Sequence, residues 1–98
     1  MDDEQKEESN QTIKESNERE QIYWQVHIDC IRALGKLGIG YALNQRINPF
    51  FEMQRIRHLQ ESGLVSTTDA LEARSQLGRL VLYRVEGYEP KLLKDSYK

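Results

Sequence analysis

The segment from residue 55 to residue 65, RIRHLQESGLV, most constrains how this 98-residue chain can fold. Ile56 and Leu59 are separated by one helical turn, and basic side chains occupy the positions between and beside them. Gly63 follows, and glycine readily adopts the left-handed conformation that ends many helices. Two aliphatic residues then begin a strand-like pattern. The segment therefore predicts a basic amphipathic helix that ends at Gly63 and turns into a short strand.

The dipeptide Asn48-Pro49 marks the start of this helix. Proline suits the first position of a helix and disfavours helix in the residue before it, while asparagine is a good N-cap. We therefore expect a helix over residues 49–62, with Ile56 and Leu59 in the core. Of the pair Phe50 and Phe51, we expect one to be buried and the other partly exposed. Six polar or charged side chains are predicted to face outward: Glu52, Gln54, Arg55, Arg57, His58 and Glu61.

An earlier helix is predicted over residues 20–37, where apolar side chains recur every three or four positions. Its end is expected near Gly38. The apolar face is wide, so it either packs on several elements or forms part of a dimer interface. The face includes Tyr23, Trp24, Val26, Ile28, Cys30, Ile31, Leu34 and Leu37. The residues predicted for a homodimer interface are Tyr23, Trp24, His27 and Ile31.

Two further segments complete the predicted domain, which spans residues 20–88. Residues 40–47 suit a short second helix, with Ile47 and either Ala42 or Leu43 turned inward. Residues 79–85 alternate apolar side chains and form the clearest predicted strand. Between the strands, residues 69–72 resemble a capping box for a helical turn, and Gly78 is expected to mark the return to the sheet. Residues 89–98 are predicted to form a polar C-terminal tail.

Charge is distributed unevenly along the chain. Residues 1–20 contain eight acidic and three basic side chains, and residues 21–98 contain eight acidic and eleven basic ones. Besides Met1, residues 1–19 offer only Ile13 as a large aliphatic side chain, too little to offset the entropy lost on ordering. We predict a flexible acidic tail over residues 1–19. It serves either as a solubilising arm or as a segment that competes with DNA for a basic face.

Several classes of protein are disfavoured by composition. The single cysteine, Cys30, excludes an intrachain disulfide and a cysteine-rich zinc site. His27 lies three positions before it, but two ligands make a poor metal site, so a packed helix face is expected there and no metal. No apolar run approaches the ~20 residues that span a bilayer. The chain contains no phosphate-binding loop and no catalytic constellation. We therefore expect a cytoplasmic, nucleoid-associated protein that is not an enzyme and has no cofactor or membrane partner.

The order helix, helix, turn, helix, strand, loop, strand resembles the winged helix-turn-helix. The motif aliphatic-x-x-Leu-x-x-x-Gly-Leu-Val at residues 56–65 and the later Leu-Tyr-Arg-Val at residues 82–85 resemble transcriptional regulators of the ArsR, PadR and MarR kind. The resemblance covers roughly residues 22–86. It implies an α+β, mainly helical fold: a winged helix-turn-helix of three helices plus a two-stranded wing.

The resemblance also implies a function. A homodimer would bind double-stranded DNA sequence-specifically and regulate transcription, with the helix at residues 49–62 inserted in the major groove. Gln54, Arg55 and His58 would contact bases, and Arg57 a base or a phosphate. Arg46 would lie near the phosphate backbone, and the wing would present Arg74, Gln76 and Arg79.

The chain departs from this family at the start of the third helix. Phe50 and Phe51 stand where small polar residues usually approach DNA, and Glu52 and Glu61 place negative charge near the phosphates. Winged helices also serve as protein-binding modules. The alternative hypothesis is therefore a protein-interaction adaptor that does not bind DNA and uses the phenylalanine pair or the N-terminal helix as its contact.

Overall fold

The computed structural model describes the backbone of residues 2–95 and the side chains of residues 17–95. Within that range the chain forms four helices, and no strand occurs between residues 2 and 95. The helices are α1 (Asp2–Lys36), α2 (Pro49–Glu61), α3 (Thr67–Val85) and α4 (Lys91–Asp95). None of these helices is long and apolar enough to cross a membrane.

The predicted α+β winged helix-turn-helix fold is wrong, because the two-stranded wing does not form. Residues 79–85, predicted as a strand, are the last part of α3, and residues 64 and 65 belong to the turn between α2 and α3. The side chains of Ala73, Leu77 and Leu80 are fully buried at spacings of four and three, the period of a helix. Packing of this face therefore overrides the strand propensity of the valines and tyrosine.

The predicted loop of the wing is also helical. Ser66 caps α3, and its Oγ accepts a hydrogen bond from the backbone N–H of Asp69 at 3.1 Å. This cap lies three positions before the predicted capping box. Gly78, predicted as a turn, lies inside α3. The residues assigned to the wing, Arg74, Gln76 and Arg79, are consequently side chains of α3.

The predicted short helix over residues 40–47 is wrong as well. A turn occupies its centre: the Gln45 N–H donates to the Ala42 carbonyl at 3.0 Å, and the Ala42 N–H donates to the Gln45 side chain at 2.7 Å. Ile47 is fully buried, as predicted. Ala42 and Leu43 are both exposed, so neither turns inward.

The boundaries of α2 confirm the prediction for residues 49–62 to within one residue. Asn48 accepts a hydrogen bond at its Oδ1 from the Phe51 N–H at 3.2 Å. Gly63 has a φ of 69° and follows the helix, and the Leu64 N–H donates to the Leu59 carbonyl at 2.9 Å. This is the Schellman arrangement, which satisfies carbonyls at a helix end.

The end of α1 is confirmed in the same way. Gly38 has a φ of 82°, and the N–H of Ile39 donates to the Leu34 carbonyl at 3.0 Å. The helix begins at Asp2, so the predicted start at residue 20 is wrong. The side chains of residues 1–16 lie outside the described residues. The flexible acidic tail over residues 1–19 stays a prediction. Of the C-terminal tail, residues 96–98 also lie outside the described range.

The core forms where α3 packs against both α1 and α2. Most of the wide apolar face of α1 packs into this core, because Tyr23, Cys30 and Leu34 are fully buried within the chain. Trp24, Ile28 and Ile31 remain partly exposed. The buried core residues are Tyr23, Val26, Cys30, Ala33, Leu34, Leu37, Ile39, Ile47, Ile56, Ala70, Ala73, Leu77, Leu80 and Leu93.

Candidate functional site

A surface cavity of about 450 Å³ lies between the start of α2 and the C-terminal half of α3. We call it the α2–α3 groove. It is lined by Arg46, Asn48, Pro49, Phe50, Val81, Arg84 and Val85.

The first turn of α2 forms one wall of the groove. Asn48 caps the helix and Pro49 occupies its first turn, which fixes the direction in which the next two side chains leave the backbone. Phe50 is 67% exposed and Phe51 is 52% exposed. The prediction that one of the two phenylalanines is buried is therefore wrong, and two adjacent aromatic rings stand on the surface.

The opposite wall is formed by α3. Val81 and Val85 are four positions apart, so they lie above one another on one face of the helix. Val85 is 80% exposed, and the neighbouring Leu82 is 65% exposed. Sequence reasoning missed this wall because it placed these residues in a strand. The i, i+4 spacing of the two valines is the signal that a helical interpretation of residues 67–85 would have used.

Charged side chains lie beside the apolar walls. Arg46 forms a two-pronged ion pair with Glu89, with Nε–Oε1 and Nη2–Oε2 distances of 2.5 Å and 3.2 Å. Arg84 Nε donates to the Tyr23 hydroxyl at 2.7 Å and lies 3.6 Å from Glu89 Oε2. The Nη2 of Arg84 is buried and has no hydrogen-bond acceptor among the described residues. Two guanidinium groups therefore share one buried carboxylate.

A second cavity, of about 480 Å³, brings together residues predicted to contact DNA. It is lined by Met53, Gln54, Arg57 and Arg74, so one basic side chain of α3 lies beside the exposed side of α2. We call the exposed set Gln54, Arg55, Arg57 and His58 the α2 basic face; all four are exposed.

Much of the positive charge on the α2 basic face is engaged within the chain. Arg57 Nε lies 3.0 Å from Glu61 Oε1. Arg55 lies 3.6 Å from Glu52 and 4.9 Å above the ring of Phe51, a cation–π distance. The face is thus less positive than its arginines alone suggest.

The other predicted DNA contacts lie elsewhere. Arg46 lines the α2–α3 groove. On α3, Arg79 donates to the Gln76 side chain at 2.8 Å and lies 3.6 Å from Asp29 of α1. Arg46, Gln76 and Arg79 are thus held by other contacts, apart from the cavity of the α2 basic face.

The four residues predicted for a homodimer interface differ in how deeply they are buried. Tyr23 and His27 are fully buried inside the single chain, so their side chains are not on its surface. Trp24 and Ile31, on the same helix, are partly exposed.

The buried side chains of His27, Cys30 and Glu52 each make a polar contact inside the protein. The Nε2 of His27 lies 2.9 Å from the Leu43 carbonyl, and burial lowers the pKa of its imidazole. The Cys30 thiol donates to the Gln76 carbonyl at 3.1 Å, and burial raises its pKa to about 12. Among residues 17–95, no group of three His, Cys, Asp or Glu side chains could hold a metal ion.

Glu52 is the third. Sequence reasoning placed it outside, yet it is fully buried and accepts a hydrogen bond from the Tyr41 hydroxyl at 2.5 Å. Burial, followed by this bond, raises the pKa of Tyr41 to about 12. The contact joins the connection after α1 to the first turn of α2, and so helps fix one wall of the groove.

Comparison with protein-family models, with characterised proteins and with solved structures finds no match for this chain.

Proposed function

We propose that this protein is a protein-binding module whose α2–α3 groove takes an apolar segment of a partner. The observation that carries the proposal is the exposure of Phe50 and Val85 on the two walls of one cavity. Burying a phenylalanine or valine side chain contributes ~1.5–3 kcal/mol. A partner that covers both walls recovers that free energy.

Apolar side chains of two helices line the groove, and further exposed apolar side chains stand next to them in the sequence. Phe50 and Phe51 come from α2, and Val81, Leu82 and Val85 from α3. Scattered apolar side chains are normal on a protein surface, whereas contiguous groups around a concavity are typical of interaction sites. Aromatic residues are also enriched at the energetic centres of interfaces.

Site-specific photocrosslinking tests the proposal in the cells that produce the protein. Benzoylphenylalanine replaces Phe50 in one variant and Leu64 in a matched control. Leu64 is 71% exposed but follows the other end of α2, about 20 Å away for a helix of this length. We expect a discrete crosslinked protein at position 50 that is absent at position 64.

The affinity of the purified partner is then measured for the wild type and for three variants. We expect Phe50→Ser and Val85→Ser each to weaken binding by roughly tenfold or more, because truncated interface anchors cost about 2 kcal/mol. Leu64→Ser should bind like the wild type. Equal crosslinking at both positions, or equal affinity of all variants, would overturn the proposal.

A second candidate function is binding of duplex DNA through the α2 basic face without a wing. It is supported by the cavity in which Gln54 and Arg57 of α2 meet Arg74 of α3, since these side-chain types contact bases and phosphates. The intrachain ion pairs of Arg55 and Arg57 weigh against it.

Titration of a labelled duplex tests this candidate. Arg57→Ala/Arg74→Ala should weaken binding and reduce its salt dependence, because two fewer cations replace counterions on the phosphates. Arg32→Ala, an exposed arginine of α1, is the control. Absence of salt-dependent binding in the wild type would exclude the candidate.

A further inference from the structure

The α2–α3 groove combines apolar walls with positive charge. Its apolar lining comes from Pro49, Phe50, Val81 and Val85. Among residues 17–95, the charged side chains that line it are both arginines, Arg46 and Arg84, and no carboxylate of that range belongs to the lining.

Two arginines and one carboxylate lie together beside the groove. Glu89, whose side chain is only 5% exposed, is the carboxylate that both arginines approach. Its Oε1 accepts from Arg46, and its Oε2 lies 3.2 Å from Arg46 Nη2 and 3.6 Å from Arg84 Nε. One buried carboxylate therefore faces two guanidinium groups.

Arg84 is the side chain that lacks a full set of acceptors. Its side chain is 11% exposed, and its Nη2 is buried with no acceptor among the described residues. A buried guanidinium group with an unsatisfied N–H is costly, and this cost falls when an acceptor of negative charge comes close.

An occupant of the groove changes the surroundings of both arginines. It excludes water, so the guanidinium groups lose screening and interact more strongly with whatever charge the occupant carries. A neutral apolar segment would remove the water around the guanidinium groups and offer them no negative charge in its place. A basic segment would be repelled. A carboxylate beside the apolar anchor compensates for the lost solvent.

We infer that the partner segment is acidic as well as apolar, with an Asp or Glu side chain that lies against Arg46 and Arg84 when its apolar anchor fills the groove. This inference rests on the proposed protein-binding function and specifies the partner's chemistry. Charge complementarity of this kind raises association rates and selects against partners of the wrong sign.

A library of random 16-residue peptides displayed on phage tests both ideas with the full chain. Panning uses the wild type as bait, with depletion against Phe50→Ser, so that the peptides retained require the groove. We expect the enriched peptides to pair aromatic or aliphatic residues with Asp or Glu at a constant spacing. A synthetic peptide of the enriched sequence should lose about tenfold in affinity when its carboxylate is replaced by the amide, and high salt should reduce this difference.

The outcomes separate the two claims. Enriched peptides that are apolar but neutral or basic, or an amide peptide that binds as tightly as its acid, would overturn the inference and leave the proposed function standing. Failure to obtain any peptide that distinguishes the wild type from Phe50→Ser would count against the proposed function itself. Circular dichroism of Phe50→Ser must match the wild type, and Val85→Ser provides a second depletion bait on the other wall.

Discussion

The Nε of Arg84 donates a hydrogen bond to the hydroxyl of Tyr23 at 2.7 Å, which joins the last turn of α3 to α1 across 61 positions of sequence. Both side chains are largely buried, and Arg84 also lies against Glu89. Burial raises the pKa of Tyr23, while the arginine partly opposes that rise. The bond positions the arginine that lines the α2–α3 groove.

Replacing the tyrosine therefore has a defined cost. Tyr23→Phe keeps the ring but removes the acceptor, so Arg84 loses a partner while one of its N–H groups is already unsatisfied. We expect a loss of about 1–3 kcal/mol in the free energy of unfolding, measured by chemical denaturation. Tyr83→Phe, at a partly exposed position of α3, is the control and should change stability much less. Similar losses in both variants would contradict this role for the bond.

Stability should fall in mild acid because of His27. Its Nε2 faces the Leu43 carbonyl, which can only accept, so Nε2 carries the proton and the buried Nδ1 has no partner. Burial holds the folded-state pKa below the ordinary 6.5. The unfolded chain therefore takes up a proton before the folded chain does, and stability is lost as the pH falls below about 6.5 towards the lower folded value.

Denaturation midpoints between about pH 5.5 and pH 7.5, above the range in which exposed carboxyl groups titrate, measure this effect. His27→Gln removes the titrating group and should flatten the profile in that range. His58→Gln, at an exposed position, should retain the wild-type slope. A profile unchanged by His27→Gln would contradict the assignment.

Two glycine-to-alanine substitutions should have opposite effects. A methyl group on Gly63 or on Gly78 meets no atom within 4 Å, so packing does not distinguish the two positions. Gly63 has a φ of 69°, and alanine in that left-handed conformation costs about 1–2 kcal/mol. Gly78 lies inside α3, where alanine is favoured over glycine by about 0.5–1 kcal/mol. Thermal melts that shift in the same direction would contradict this prediction.

Cys30 should be unreactive in the folded protein. Burial raises the pKa of its thiol to about 12 from an ordinary 9.0, so the thiolate fraction near pH 8 falls roughly a thousandfold. We expect iodoacetamide to label the native chain at least that much more slowly than the chain unfolded in guanidinium, as followed by mass spectrometry. Rapid native labelling would mean that the thiol is accessible.

Local sequence signals determined both ends of α2 and the C-terminal end of α1. Asn48, Pro49 and Gly63 place α2 to within one residue, because N-caps and left-handed glycines act through their own backbone and immediate neighbours. Gly38 places the end of α1 for the same reason. Ile47 and Ile56 were also predicted to be buried, and both are.

Long-range packing decided what local signals could not. The valines and tyrosine of residues 79–85 favour a strand by propensity, yet the segment is helical because Leu77 and Leu80 of the same helix bury one face in the core. Glu52 is buried rather than exposed, and Tyr41, eleven positions away, supplies a hydrogen bond to its carboxylate. The short-range pattern of residues 79–85 fits both a strand and a helix, and packing decides between them.

The sequence by itself therefore determined where α1 and α2 end, the cap of α2 and part of the core, because those features depend on residues within one or two helical turns. Only the tertiary structure decided that α3 is one helix, that Phe50 and Val85 flank a common groove, and that Arg46 and Arg84 share Glu89 beside it. The groove and the Arg46–Glu89 ion pair join residues more than thirty positions apart, and burial against the rest of the chain sets them.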